Sequence, residues 1–326
     1  MGVSPTRDAR SPETAPVLHG ADATDLAARR LTALNLLRAL RAFSLPVSLL
    51  PVVLATAAVL PVERWRWDVL IVSVAGVALF HCAGNLLNDY FDFRSGVDRL
   101  TDDDPSHPGR LLVQGRLLPQ DVLLEAGACF LLASVAAAYV LGRCGAVPGW
   151  FALAAAIGLY AYTGPPFRLK YRALGELTIL VVFGPLLMTG AAWVQTGHFE
   201  PRALLLSLPV GLLTTSILAG NSFRDRQEDS DAGITTIGSF AQGRVARVVY
   251  LALVLAGVGG LAGIAAAGIG PKALWAAPLT LGLLPKPLTA TWHGERLADI
   301  DARTARFETV LLLLVLVSYL IWPPAG

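Results

Sequence analysis

Residues 68–98 read DVLIVSVAGVALFHCAGNLLNDYFDFRSGVD. The stretch begins as an apolar run and ends in amides and acids. A membrane-spanning helix needs about 20 mostly apolar residues, and 68–88 supplies them. Each residue of a helix advances by about 100°, so Asn85, Asn88, Asp89 and Asp92 fall on one face. Uncompensated carboxylates are costly at membrane depth, so this face is expected where the helix leaves the hydrocarbon. A donor set made only of oxygen suits Mg²⁺, which commonly takes one or two carboxylates plus phosphate oxygens.

Working outward, similar apolar stretches fill most of the chain. They cover 42–62, 68–88, 121–142, 147–163, 174–195, 203–220, 246–269, 272–290 and 306–322. The fourth and ninth are short, and the eighth carries Pro278, Pro285, Lys286 and Pro287. Membrane helices tolerate interior prolines where neighbours satisfy the freed carbonyls. The expectation is an all-α integral membrane protein, nine transmembrane helices in one bundle over 35–326, behind a flexible cytoplasmic tail at 1–34. The first apolar stretch starts late and is long, so no secretory signal is expected.

Composition agrees. Of 326 residues, 54% are apolar and 15% charged, and mean hydropathy is +0.58. Soluble domains carry about 25% charged residues, so an ordinary soluble globule and a disordered chain are both excluded. A formal net charge of +2 gives no footing for nucleic acid. Cys82, Cys129 and Cys144 are an odd number in apolar surroundings, which argues against disulfides or zinc.

Basic residues set the orientation. With the tail inside, the inner loops hold Arg38, Arg41, Arg94, Arg116, Arg168, Lys170, Arg172, Arg224, Arg226, Arg244, Arg247, Arg296 and others. The outer loops hold Arg64, Arg66, Arg143, Arg202 and Lys272. The amino terminus is therefore expected in the cytoplasm and the carboxyl terminus outside. The inner blocks 89–120 and 221–245 are also the long ones, so chemistry is expected at the cytoplasmic face of a multi-pass protein of the cell membrane.

The second long inner block opens with Gly220-Asn221-Ser222-Phe223-Arg224-Asp225-Arg226-Gln227-Glu228-Asp229. Asn221, Asp225 and Asp229 stand at i, i+4 and i+8, again one helical face, with Glu228 beside them. Both segments begin Gly-Asn and place an Asp at the same offset, Asp89 and Asp225. One acidic helix end is ordinary solvation. Two matched ends point to an internal repeat with a site shared between them. Facing acidic clusters repel unless cations lie between them. The natural occupant is two or more Mg²⁺ ions bridging a diphosphate.

Arg224 adjoins Asp225, and Arg168 and Lys170 sit in the loop Thr163-Gly164-Pro165-Pro166-Phe167-Arg168-Leu169-Lys170-Tyr171. These cations fit phosphate oxygens. Arg168, Lys170 and Arg172 fit plain positive-inside anchoring equally well.

The chain resembles the UbiA superfamily of membrane prenyltransferases. The resemblance rests on Asn88-Asp89-Tyr90-Phe91-Asp92 with Gly96 and Asp98, on Asn221 to Asp229, and on the loop from Pro165 to Glu176. It is most similar to the 1,4-dihydroxy-2-naphthoate polyprenyltransferases, through the Asp92, Gly96 and Asp98 spacing and the run Gly190 to Gly197. It departs from them at Ile234, where that branch has Lys, and over Pro105 to Gly115. The resemblance implies Mg²⁺ on Asp89, Asp92, Asp225 and Asp229. It further implies a prenyl diphosphate held with help from Asn85, Asn88, Asn221, Arg224, Arg168 and Lys170, and an aromatic acceptor. Ionisation of the allylic C–O bond would give a cation that an apolar cavity shields and that Tyr90, Phe91, Phe223, Tyr160 and Tyr162 can stabilise. For any one of these aromatics, interfacial packing explains it as well.

His81 lies one turn before Asn85, where it either faces a cavity or is a packed, hydrogen-bonded residue. Glu125 and Glu176 are ionisable residues in or near spans, with Glu176 the better placed. Lys286 fits snorkelling. His107, His198 and His293 show no ligand spacing. Two other functions share parts of this pattern. A terpene cyclase of the same fold would use the same ionisation with no aromatic acceptor. A transporter would carry its acids at mid-span, whereas these lie at inner ends.

Overall fold

In the computed structural model, residues 33–98, 111–231 and 233–323 are described. Most of the tail, 105–110 of the unusual segment and the side chain of Glu228 fall outside that description. The described chain is helical, with a single isolated bridge between Arg172 and Thr235.

Helix α1 (Ala33–Ala39) leads through a 3₁₀ turn into α2 (Pro46–Val59), with a bend of 44° between them. Proline at the first position of α2 uses a residue whose missing N–H costs nothing there. Helix α3 (Trp67–Ser95) follows, then α4 (Pro119–Cys144) and α5 (Val147–Thr163). Helix α6 (Gly175–Thr196) contains a π-helical turn, Val182–Leu186, around Pro185. Then come α7 (Pro201–Arg224), the short α8 (Arg226–Asp231) and α9 (Arg244–Ala266). A 3₁₀ segment, Lys272–Leu283, leads to α10 (Pro285–His293) and finally α11 (Ile300–Ile321).

Among the described residues, six helices are long and apolar enough to cross a membrane, or seven if the bent α1–α2 pair counts as one span. The expectation of nine such helices is not met in that form. Helix α5 has 17 residues, about 26 Å at 1.5 Å per residue, short of the roughly 30 Å hydrocarbon core. The stretch 272–290 is not one helix. Pro278, Pro285 and Pro287 lack the N–H a continuous α-helix needs, and the chain runs as a 3₁₀ segment and then a nine-residue helix. Lys286 is exposed at the start of α10, not inside a span.

The exterior is apolar. Leu124, Val135, Trp150 and Leu279 are 77, 62, 68 and 81% exposed. Water would penalise such a surface, whereas hydrocarbon does not, so the protein is a multi-pass membrane protein.

With no hydrophobic drive between helices in lipid, close approach of small residues carries the packing. Gly184 on α6 faces Gly211 on α7, and a Cβ added at Gly211 would lie 2.9 Å from the Gly184 Cα and 3.1 Å from the Leu180 carbonyl oxygen. Both obstacles are backbone and cannot swing aside. Gly211→Val is therefore expected to cost about 1–3 kcal/mol. A lower melting temperature in detergent checks this, and an unchanged one refutes the close contact.

Candidate active site

Helix α3 has 29 residues, about 43 Å, so it outruns the hydrocarbon by several turns. It continues past the apolar run because nothing breaks it until Gly96, which takes the left-handed conformation (φ 72°) of a helix end. That extension carries Asn85, Asn88, Asp89 and Asp92. The matching segment differs from the expected continuous helix. Helix α7 ends at Arg224, Asp225 is the break (φ −90°, ψ 7°), and α8 starts at Arg226. Two α-type bonds still bridge the break, Asp225 N to Asn221 O at 2.8 Å and Asp229 N to Asp225 O at 2.9 Å. The break is thus a bend, and the three side chains keep a common side.

Both segments open on one cavity of about 1590 Å³. Its deep part is apolar, with Val77, Phe80, Phe130, Phe151, Ile179 and Phe183. Asn85, Asn88, Asp92, Asp98, Lys170, Asn221, Arg224, Asp225 and Asp229 also line it. The pairing of distant acidic helix ends is therefore observed. Two candidates lie elsewhere. Asp89 is buried at the edge of the α3 face, off the cavity wall, bonded to Arg41, which does line the cavity. Arg168 is exposed on the outer side of its loop, off the wall, with φ 49°.

Asp92, Asp225 and Asp229 each have a partner. Asp92 accepts from Asn88 Nδ2 at 2.9 Å, from Lys170 Nζ at 2.6 Å and from the Tyr171 hydroxyl. Arg224 grips Asp225 through two bonds, Nε at 2.6 Å and Nη2 at 2.8 Å, and reaches Asp301 on α11 at 2.8 Å. Thr236 Oγ1 donates to Asp229 at 2.6 Å. The loop that carries Lys170 is zipped to the loop after α8, since Ala173 N donates to Thr235 O at 2.8 Å and Thr235 N to Tyr171 O at 3.3 Å. One junction therefore sets Lys170 and Tyr171 on Asp92 and Thr236 on Asp229.

Burial pulls the Lys170 ammonium down, but the Asp92 charge and hydrogen bond, together with Tyr162 and Tyr171, outweigh it and hold Lys170 above its usual value. Burial, then the Asp92 charge, pushes the Tyr171 phenol up. Burial pushes Asp229 up to about 6, against the Thr236 hydrogen bond. Asp98 is likewise raised, by burial and then by the charge of Asp92.

Arg41, Tyr171, Asp301 and Thr236 are contacts that sequence reasoning missed. Tyr171 adjoins Lys170 in the quoted loop, which was the one signal available for it. Of the aromatics named from sequence, only Tyr162 is on the cavity wall. Tyr90, Phe91 and Tyr160 stack on one another off the wall, and Phe223 is buried under Arg226. Phe80, Phe130, Phe151 and Phe183 take the wall positions. Glu176 lines the cavity and accepts from Ser222 at 2.8 Å, whereas Glu125 lies off the wall.

The donor chemistry fits Mg²⁺ with a diphosphate. The acids are hard oxygen donors on both sides of the cavity mouth. Two buried atoms there have no partner, the Asn221 carbonyl oxygen and the Arg41 Nε. One is an acceptor suited to a cation, the other a donor suited to an anion. Among the described residues, no three His, Cys, Asp or Glu side chains form a ready metal cage. That open arrangement suits Mg²⁺, which commonly takes one or two carboxylates and completes its coordination with phosphate oxygens and water.

The chain is similar to known proteins throughout the bundle. It is 36% identical over 217 residues to UbiA prenyltransferase domain-containing protein 1 of Danio rerio, a match covering 65% of this chain and 62% of that protein. It is 37% identical over 203 residues to the protein of that name in Homo sapiens, covering 61% and 58%. The matches therefore take in less than two thirds of these relatives' length. Its fold matches that of a UbiA homolog from Archaeoglobus fulgidus bound to GPP and Mg²⁺, with TM-score 0.65 at 17% identity over 88% of this chain and 99% of that one. A UbiA homolog from Aeropyrum pernix K1 gives TM-score 0.62 at 20% identity over 85% and 96%. The sequence pattern of the UbiA prenyltransferase family matches residues 47–319, nearly all of the helical bundle and both acidic segments. With matched acidic ends meeting at one apolar cavity in that fold, the chain belongs to the UbiA prenyltransferase family.

Proposed function

We propose that this protein transfers a prenyl group from an allylic prenyl diphosphate to an aromatic acceptor, with Mg²⁺ as cofactor. The acceptor class is 1,4-dihydroxy-2-naphthoate or a related quinone precursor. The observation that carries the reading is the meeting of two oxygen-rich acidic clusters and their cations at the polar end of one large apolar cavity. The relatives' names and the GPP and Mg²⁺ of the fold neighbour support it. The naphthoate assignment rests on the first acidic segment and on Gly190 to Gly197.

Asp92, Asp225 and Asp229 on the cavity wall, with Asp89 once Arg41 releases it, are the residues that would hold Mg²⁺, which would supply charge neutralisation of the leaving diphosphate. Lys170, Arg224 and Arg41 supply further positive charge, and Asn85, Asn88 and Asn221 supply amides. Arg168, outside the cavity, fits recruitment of the anionic substrate at the surface. The allylic C–O bond breaks with its electron pair going to the diphosphate oxygen. Phe80, Phe130, Phe151 and Phe183 exclude water and face the allylic cation. A ring carbon of the acceptor then bonds to the prenyl carbon. That carbon afterwards loses H⁺, or CO₂ where it bore a carboxylate, and the ring regains aromaticity.

On this reading the amino terminus and the site face the cytoplasm across the cell membrane, and the 3₁₀ segment with α10 makes the eighth of nine crossings. At about 2.0 Å per 3₁₀ residue and 1.5 Å per α residue, those two pieces together are long enough to cross.

The test incubates membranes with Mg²⁺ and allylic diphosphates, with and without 1,4-dihydroxy-2-naphthoate, and weighs the lipid-soluble products. A prenylated aromatic is expected. A cyclic terpene formed without acceptor, and no prenylated aromatic, would identify the cyclase alternative instead. Excess EDTA is expected to remove activity and added Mg²⁺ to restore it. Full turnover in EDTA would refute the metal dependence.

A further inference from the structure

Deeper than the acidic mouth, the cavity contains a second polar group that the ionisation chemistry does not use. His81, one turn before Asn85 on α3, lies between two serines from the chain entering α2. Its Nδ1 is 2.8 Å from Ser48 Oγ, and its Nε2 is 3.1 Å from Ser44 Oγ. Asn85 Nδ2 donates to Ser44 Oγ at 3.2 Å and to the Leu40 carbonyl at 3.1 Å. The ring meets Phe183 edge-on at 5.6 Å. His81, Ser44, Ser48, Asn85 and Phe183 all line the cavity.

Proton counting shows what this group accepts. Ser48 Oγ donates to the Leu45 carbonyl at 3.1 Å and Ser44 Oγ to the Arg41 carbonyl at 2.8 Å, so either serine oxygen can receive the single imidazole N–H of His81. The ring nitrogen that carries no hydrogen is then the accepting one. Where that nitrogen is Nε2, the single proton of Ser44 has two acceptors in reach, Nε2 and the Arg41 carbonyl. The Arg41 carbonyl also accepts the Ser44 backbone N–H at 2.8 Å, so it does not depend on the hydroxyl. A ligand hydroxyl that takes the place of a serine beside the bare ring nitrogen leaves that serine its backbone carbonyl. The group can therefore receive one O–H from the cavity.

We propose that His81, with Ser44 and Ser48, is the subsite that binds a ring hydroxyl of the aromatic acceptor. This rests on the transferase reading above. From His81 to Asn88 the helix rises about 10 Å, which leaves room for a bicyclic ring between the hydroxyl anchor and the diphosphate-bearing carbon. The Phe183 edge gives that ring an apolar flank. A site that hydrogen-bonds a substrate hydroxyl discriminates against analogues lacking it.

The experiment has a catalytic and a binding arm, each comparing wild type with His81→Phe, His81→Gln and Ser44→Ala of matched melting temperature. In the catalytic arm, with Mg²⁺ and geranyl diphosphate, His81→Phe is expected to raise KM for 1,4-dihydroxy-2-naphthoate about tenfold or more and to leave KM for the diphosphate within about twofold. His81→Gln should recover part of that loss, and Ser44→Ala should show a smaller one. In the binding arm, equilibrium binding of 1,4-dihydroxy-2-naphthoate in EDTA should weaken by a similar factor. Unchanged acceptor KM and binding in His81→Phe, or equal damage to both substrates, would overturn the subsite. Binding that needs His81 with no aromatic prenylated by wild type would uphold the subsite and overturn the transferase reading. Prenylation indifferent to His81 would do the reverse.

Discussion

Alanine at Asp89 or at Asp225 is expected to lower diphosphate release by about 10³-fold or more, with the protein still inserted in the membrane. The two residues lie in different acidic segments but, on the proposed function, serve one leaving group, whose charge must be neutralised before the C–O bond ionises. The geometry adds a cost for each. Arg41 loses its carboxylate partner in the first variant. In the second, Arg224 loses both of its bonds to Asp225 and keeps Asp301. Because the acids act as a unit, the double variant should be far less impaired than the product of the two losses. Pre-steady-state release of diphosphate from membranes with matched protein content measures this. Near-wild-type turnover in either single variant would dismiss a shared site.

Lys170→Met has the next largest expected effect, and its signature is conditional. The ammonium is 2.6 Å from the Asp92 carboxylate, whose side chain is 6% exposed. Removing one partner of a buried pair leaves the other charge uncompensated, at a cost of about 3–5 kcal/mol. Asn88 and Tyr171 keep their bonds to Asp92, which puts the loss towards the lower end. In EDTA the variant should therefore melt well below wild type. With Mg²⁺ and a non-hydrolysable diphosphate analogue the gap should narrow, because a cation then takes the place of the ammonium beside the carboxylate. A gap that stays the same in both conditions would mean that Asp92 does not meet the metal.

Much of the fold is written in hydropathy. The long apolar runs are recovered as α3, α4, α6, α7, α9 and α11, because burial in lipid requires continuous apolar sequence. Helix ends are less legible. Hydropathy ends α3 near Asn88, yet the helix continues to Ser95, since hydropathy reports solvent and only Gly96 stops the backbone. The bend at Asp225 and the 3₁₀ path of 272–283 escape the same reading. Both depend on local hydrogen bonding that periodicity does not register.

At the site, sequence alone determined the donor chemistry. Oxygen-only residues at matched positions of two helix ends suit hard cations and phosphate, wherever those ends lie in space. Their convergence on one cavity was an inference from the repeat, and the tertiary structure decided which members reach it. Asp89 and Arg168 fall off the wall because a helical face spans a wide angle and a loop can turn either way at a left-handed residue. The partners came only from packing. Arg41, Tyr171, Asp301 and Thr236 lie far along the chain from the acids they serve or orient, apart from Thr236, and no local pattern pairs them. His81 shows the same division. Its place one turn before Asn85 could be read from the sequence, but the two serines that bracket its ring come from another segment, 33 and 37 residues away. Hydrogen bonding is directional and short-ranged, so such a group is defined only when the bundle closes.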